Sequence, residues 1–307
     1  MRKIGLIPYI CGAGATTSGC ETAPPYLEQH GLVQHLRSLG LDVDWTQSPA
    51  ALYAGEKGEK AHQDLPPPGD SERIDLTLWH CQNMKKQVIS AIQNGLYPLT
   101  IGGDHTISAG SISGFADAHN AHGKIGLIWF DAHPDLNTWT SSESGSPHGM
   151  PVAALTGIGK TVMEKLGVGK TVINPDHLFY IGIRSIDPAE QTVIDNLGIK
   201  HLTNRDVQKI GVKAAFNQAL DALSDTDYLI LSFDLDGLRP SDVPAVGTPV
   251  GDGIALNDVL PALEAAQGKR RFDMIEIVEF NPTLQGQETT YQTIKKLLET
   301  LLQNHSD

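Results

Sequence analysis

Two short runs place acidic or imidazole groups at alternate positions, Asp131-Ala132-His133-Pro134-Asp135 and Asp234-Leu235-Asp236. Further acidic or imidazole groups stand in Gly102-Gly103-Asp104-His105 and at Glu279. In an extended chain alternate residues point to one side, so Asp131, His133 and Asp135 can share a face, and Pro134 holds His133 out of the α region. Taken singly, an Asp after a strand reads as a turn former or helix N-cap, and GGDH as a turn before a capped helix. Together the runs gather four carboxylates within a few ångströms, a cluster that repels itself unless cations sit in it. Two divalent ions match four carboxylates and would bring the formal charge from -13 to -9. Ligands that are mostly carboxylate, with one imidazole per ion, favour a harder ion such as Mn2+ over structural zinc. Two such ions roughly 3.5 to 4 Å apart can lower the pKa of a water between them from 15.7 towards about 7, so that hydroxide is available at neutral pH.

These groups need elements to position them. Short β-branched and apolar runs alternate with segments of helical length, which is the pattern of a mostly parallel sheet covered on both faces. Strands are expected at KIGLIPYI from Lys3, LDVDW from Leu41, LYPLTI from Leu96, KIGLIWF from Lys124, HLFYIGI from His177, DYLILSF from Asp227 and FDMIEIV from Phe272. Between them, Arg73 to Asn94 carries apolar residues at helical spacing. Ser48 to Asp70 reads as a solvated loop, and nothing in the chain separates two domains, so residues 1–307 are expected to form one α/β domain. Ligands of open parallel sheets gather outside the carboxyl ends of the strands. Four expected strand ends lead into GGDH, DAHPD, DLD and Glu279.

Bulk properties narrow the partners. A chain of 307 residues with 40% hydrophobic content can bury a sizeable core. The charge of -13 and pI near 5.3 speak against nucleic acid or an anionic membrane, and leave small solutes as ligands. No apolar run approaches the roughly 18 residues of a membrane span, and the first ten residues lack the features of a signal peptide, so a cytoplasmic protein is expected. Cys11, Cys20 and Cys81 show no pairing pattern and fit free thiols in a reducing compartment.

The motifs GGDHT, DAHPDLN, SGSPHGMPVA, SFDLDGLRPSDVPAVGTPV and VEFNP, in this order and approximate spacing, resemble those of the ureohydrolases, and among these the arginases most. The resemblance runs from Gly5 to the C-terminal helix and implies a single-domain, three-layer α/β/α fold. It implies two Mn2+ per chain, with Co2+, Fe2+ or Ni2+ as alternatives. One ion would be held by His105, Asp131, Asp135 and Asp234, the other by Asp131, His133, Asp234 and Asp236. His148 is similar to the family's proton-shuttle histidine and Glu279 to the carboxylate that pairs with a guanidinium, with Thr248 its neighbour in that pocket. Asn137, Ser144, Ser146 and Asp187 match positions that meet the amino-acid end of the substrate. The implied reaction cleaves L-arginine to urea and L-ornithine, and a homotrimer or homohexamer is implied as well. A guanidinium keeps its proton to a pKa near 13.8, so its carbon needs a strong, positioned nucleophile. The departing amine must be protonated, a task suited to an imidazole; Asp135 is expected to steady the hydroxide. Agmatine, another guanidino acid or formiminoglutamate are the alternative substrates, and a homologue that only binds is the non-catalytic alternative.

Three positions depart from the arginase pattern. Arg239 stands where the family has Asp, Ser146 where it has Asn, and Ala23-Pro24-Pro25 where it has Gly-Pro. Arg239 puts the geometry around the metal ligands in question, Ser146 the contacts to the α-carboxylate, and the third change is expected to affect packing. Glu276 competes with Glu279 for the substrate role, and nearness to the strand end together with Asn281-Pro282 favours Glu279. Gly12 and Gly14 lack the third glycine of a dinucleotide loop, and the Gly-Lys-Thr tripeptides at Gly159 and Gly169 lack the glycine five residues earlier that a phosphate loop needs, where Ala154 and Glu164 stand, so both tripeptides read as helix ends or turns. His119 and His122 are expected to be solvated at a helix end.

Overall fold

The computed structural model describes residues 2–54, 65–119 and 123–303. Eight strands form one sheet: β1 (Ile4–Pro8), β2 (Val43–Trp45), β3 (Tyr97–Ile101), β4 (Ile125–Phe130), β5 (Leu178–Ile183), β6 (Lys200–Thr203), β7 (Tyr228–Asp234) and β8 (Met274–Val278). Every neighbouring pair is parallel, in the order β2-β1-β3-β8-β7-β4-β5-β6. The seven expected runs are strands. The eighth, β6, was not anticipated, because Lys-His-Leu-Thr is short and polar, as suits an edge that must not recruit another chain.

Side chains alternate across the sheet with period two. Phe130, Leu231, Phe233 and Ile275 face one layer, built with Leu32–Ser38, Val212–Ala222, Leu256–Lys269 and Gln287–Leu302. Leu127, Trp129, Tyr180 and Met274 face the other, built with Ser71–Gln93, Ile107–Ala118 and Pro151–Thr156. Both faces are therefore dry, which is why the strands read as continuous apolar runs. The result is a single three-layer α/β/α domain.

Local capping accounts for what lies between the strands. Asp70 accepts the amide of Glu72 at 2.9 Å and starts the long helix. The expected loop from Ser48 contains a short helix, Pro49–Tyr53, because Ser48 caps it and Pro49 sets its first turn; residues 55–64 of that loop lie outside the described residues. Gly159 caps Lys160–Lys165, a helix end as expected, and Gly169 has a left-handed φ of +80° outside any helix. His119 is half-buried rather than solvated, since its ring tilts between Phe115 and Tyr228 and Nδ1 meets the Phe115 carbonyl at 2.9 Å; His122 lies outside the described residues. Ala23, Pro24 and Pro25 form the first turn of Ala23–Gln29, where proline is tolerated. Among the described residues no helix is long and apolar enough to cross a membrane.

The four strands that carry the acidic motifs, β3, β8, β7 and β4, are adjacent at the centre of the sheet. From β3 the chain crosses β8 and β7 to reach β4, so sequence order reverses there and a crevice opens at the carboxyl ends. The turn out of β3 depends on Gly103, at φ +69°, whose amide carbonyl accepts from Glu279 at 3.0 Å. A Cβ there would stand 2.2 Å from the Tyr9 ring and 2.7 Å from the Cys11 carbonyl. Gly103→Ala is expected to cost about 2 kcal/mol or more, from a disfavoured φ and a clash with backbone. Denaturant unfolding checks this; an unchanged midpoint would show that the turn tolerates a side chain.

Candidate active site

The acidic motifs meet in the crevice. His105 Nδ1 lies 3.1 Å from a carboxylate oxygen of each of Asp131, Asp135 and Asp234. His133 Nδ1 lies 3.1 Å from Asp236 and 3.5 Å from Asp131. Candidate ligand atoms thus fall into two groups, His105 with Asp131 and Asp234, and Asp131 with His133 and Asp236, sharing Asp131. Asp131, Asp135, Asp234 and Asp236 are all buried.

The way they converge differs from the extended runs expected of the sequence. Past Phe130 the chain bends: Ala132 donates its amide to Asp236 at 3.1 Å, and its carbonyl accepts from Arg184 and Ser185. The His133 backbone amide donates to Asp131 at 2.6 Å, and Asp135 adopts φ +50°, a left-handed conformation uncommon outside glycine. Asp234 ends β7 and caps the turn Leu235–Gly237 by accepting the Asp236 amide at 2.7 Å. Tight turns, not alternation, bring the carboxylates together.

Electrostatics show what the cluster lacks. Burial alone would lower the His133 pKa, but Asp236 and Asp131 outweigh it and push it up to about 12. The carboxylates pull positive charge onto any group that can carry it. His105 Nδ1, fully buried among three carboxylate oxygens, has no hydrogen-bond partner among the described residues. A lone pair aimed into a carboxylate cluster is what a metal ligand presents, so these residues fit two cations.

A second layer fixes His105. Its ring stacks on Trp129 at 4.0 Å between centroids, and Trp129 Nε1 donates to Asp131 at 2.9 Å. Its Nε2 meets Ser232 Oγ at 2.9 Å. Ser232 lies 2.9 Å from Glu276, which also accepts from Ser108 at 2.7 Å, from Ser111 and from Thr100. With Glu276 taking the Ser232 proton, the serine lone pair accepts Nε2–H, which leaves Nδ1 unprotonated towards the carboxylates. Glu276 is therefore absorbed by hydroxyls inside the sheet, whereas Glu279, itself buried, meets the crevice through His148, which lines the cavity.

Glu279, at φ +68°, accepts the His105 amide at 2.8 Å and His148 Nδ1 at 3.1 Å on one oxygen, and faces Cys20 Sγ at 3.5 Å with the other. Burial would raise its pKa, but the bond and charge of His148 hold it below the ordinary glutamate value. Burial likewise disfavours protonated His148, yet Glu279 raises its pKa. A cavity of about 180 Å3 joins His105, His133, Asp135, Asp234, His148 and Thr248 to Asn137, Ser144, Asp187 and Glu190. Thr248 donates to Asp236 at 3.1 Å, and Asn137 Nδ2 to Asp187 at 2.8 Å.

The arginase family model matches residues 2–303. The chain belongs to the arginase family. Its sequence is 34% identical over 305 residues to the arginase of Bacillus caldovelox, with 98% of each chain covered. The crystal structure of Bacillus subtilis arginase superimposes with a TM-score of 0.85 at 32% identity and 98% coverage of both chains. That of Entamoeba histolytica arginase in complex with L-ornithine gives 0.85 at 30% identity, covering 98% of this chain and 99% of the other. The protein is accordingly an amidinohydrolase.

Within this arginase-family site two expectations change. Ser146 does not line the cavity; it is buried with its hydroxyl 3.0 Å from Thr16, because its segment rests on the loop after β1. Arg239 is exposed, and its Nε donates to the Gly253 carbonyl at 3.2 Å, away from the carboxylates. Sequence reading passed over Glu190, Ser142, Ser185 and Thr16, which line the cavity. Glu190 had a signal: it stands three residues after Asp187 in a capping box. Its oxygens accept the amides of Leu136 and Asp187 at 2.9 and 3.0 Å, and burial raises its pKa to about 7. For the His105 support, Glu276→Gln supplies a donor that can turn Ser232 around. Affinity for the ion next to His105 is expected to fall about 10- to 100-fold. Metal titration against a competing chelator measures it, and unchanged affinity would remove Glu276 from the metal support.

Proposed function

We propose that this protein hydrolyses L-arginine to urea and L-ornithine with two Mn2+ bound by His105, Asp131, His133, Asp135, Asp234 and Asp236. The observation that carries the reading is the cavity lined by His105, His133, Asp135 and Asp234 of the carboxylate cluster, by His148 with the buried Glu279 bonded behind it, and by the Asn137–Asp187 pair. In this reading Asp131 and Asp234 would be shared ligands, and bound divalent ions would supply hydroxide at neutral pH. Glu279, held ionised, accepts hydrogen bonds from the planar guanidinium and fixes its carbon beside the cluster. Thr248 holds Asp236 and borders the same pocket. As the bond from the guanidinium carbon to the chain nitrogen breaks, protonated His148 delivers a proton to the departing amine.

The other end of the cavity suits an amino acid. Asn137 retains a second amide N–H and Ser144 a hydroxyl for a carboxylate, while Asp187 and Glu190 can meet an α-ammonium. A cation there favours ionised Glu190, whose carboxyl burial otherwise keeps protonated towards neutral pH. The Entamoeba relative solved with L-ornithine supports a product of this size and charge. A cytoplasmic homotrimer or homohexamer belongs to the same proposal.

Urea release from arginine, agmatine and guanidino acids, assayed with and without added Mn2+, tests the reading. Chelator-treated protein should be inactive and recover with about two Mn2+ per chain. Arginine should exceed agmatine in kcat/KM by about 10²- to 10³-fold, because lost polar partners are costly in a site built for them. Equal or better agmatine turnover would sink the arginine assignment, and full activity in metal-free protein would sink the mechanism. His148→Asn should lower kcat by roughly 10²-fold or more with metal content unchanged, as measured by steady-state kinetics and metal analysis. An unaltered kcat would reduce His148 to a structural residue.

A further inference from the structure

The loop that follows β1 has no regular structure, yet Tyr9 to Ala15 are buried, so each of its peptide groups needs a partner. One partner is unusual. Arg73, in the first turn of Ser71–Gln93, is only 5% exposed, and it directs its guanidinium at backbone carbonyls: Nε to Ala13 at 2.7 Å, Nη2 to Ala15, and Nη1 to Pro66 at 3.0 Å. Burying a guanidinium is costly, and carbonyl bonds offset that cost only while their geometry is kept.

The two carbonyls that Arg73 grips flank Gly14. The Gly14 amide donates to Asp104 at 2.9 Å, and its carbonyl accepts the backbone N–H of His148 at 3.0 Å. One residue further, Thr16 meets Ser146 through hydroxyls 3.0 Å apart. The segment bearing His148 therefore rests on the loop at two points, and the loop rests on Arg73 and Asp104. A side chain at Gly14 has no room, since its Cβ would stand 2.5 Å from Thr106 and 2.6 Å from Asp104. The candidate metal ligands hang from β3, β4 and β7 and touch none of these Arg73 bonds.

We propose that Arg73 is a positioning residue for His148: by clamping the carbonyls of Ala13 and Ala15 it sets the height of the Gly14 carbonyl, and so the place from which the imidazole reaches Glu279. The kinetic part rests on the reading of His148 as the proton donor of arginine hydrolysis. The structural part does not. Arg73→Gln keeps a polar side chain but loses the fork that spans two carbonyls, and Arg73→Lys, which can reach one, should fall between it and the parent.

Hydrogen exchange and kinetics on the manganese-loaded protein test both parts. In Arg73→Gln, exchange should speed up over residues 13–16 and 146–149 and stay unchanged over 125–131. Unchanged exchange at 146–149 would overturn the proposal whether or not arginine is the substrate. With arginine, kcat should fall about 10- to 100-fold while KM moves less than about threefold and bound manganese is retained. In a His148→Asn background the same substitution should change kcat by less than about twofold, because the group it positions is gone. Equal losses in both backgrounds, or loss of manganese, would overturn it. If Arg73→Gln does not fold, Arg73→Lys carries the same comparison: faster exchange and a partial kcat loss absent from the His148→Asn background support the proposal, and parental exchange overturns it. A parent protein that releases no urea from arginine refutes the proposed function and leaves the exchange result to decide the role of Arg73.

Discussion

Asp131, Asp135, Asp234 and Asp236 are buried together beside two imidazoles, and their mutual repulsion has to be met by positive charge. The sheet register makes this crowding unavoidable. β4 pairs with β7 so that Phe130 opposes Phe233, and the two rings stack at 4.2 Å. The next residue on each strand is an aspartate, so Asp131 and Asp234 are delivered side by side. A slip of one residue would separate them and also turn both apolar faces of the strand over, which the packed layers forbid. Hydrophobic packing below the crevice thus imposes electrostatic tension within it.

That tension is arranged rather than relieved by the backbone. Two of the non-glycine residues with positive φ, Asp135 and Glu279, sit at the crevice, a conformation that costs of order 1 kcal/mol or more each. Neighbouring bonds hold them there. The Asp135 carbonyl accepts from Val152, the Pro134 carbonyl accepts from Tyr180 at 2.8 Å, and the Glu279 amide is tied to Gly103. Such cross-bracing over-determines each turn, which lets a strained carboxylate keep one direction.

What could be read in the sequence follows from this division. Strand ends were legible because apolar runs stop abruptly at GGDH, DAHPD, DLD and Glu279, and each stop is a local signal. The means of convergence was not, since Asp135 owes its left-handed turn to bonds with Val152 and with residues far along the chain. Ser146 was assigned to the cavity by position in a motif, but its contact with Thr16 depends on a loop 130 residues away. Glu190 could have been found from its capping box with Asp187, a local pattern that points a carboxylate back over the start of its helix. Arg73 carried no sign of its role, because its three acceptors are backbone carbonyls and any residue can supply one.

The ligands for cations come from the ends of neighbouring strands, where register and packing fix them to within the play of a side chain. The groups proposed to meet a substrate come from the connections 137–149 and 185–190, held mainly by polar contacts such as Asn137 to Asp187 and His148 to Gly14. The carboxylate cluster therefore rests on the strand ends and the braced turns that follow them, whereas the proposed proton delivery and recognition depend on contacts that a single substitution can loosen. Arg239 illustrates the first half: two residues past Leu235-Asp236-Gly237 its side chain is exposed and bonds the Gly253 carbonyl, so it leaves the carboxylates untouched. Ser146 illustrates the second, since a position expected to face the ligand is instead buried with its hydroxyl on Thr16 of the loop beneath it.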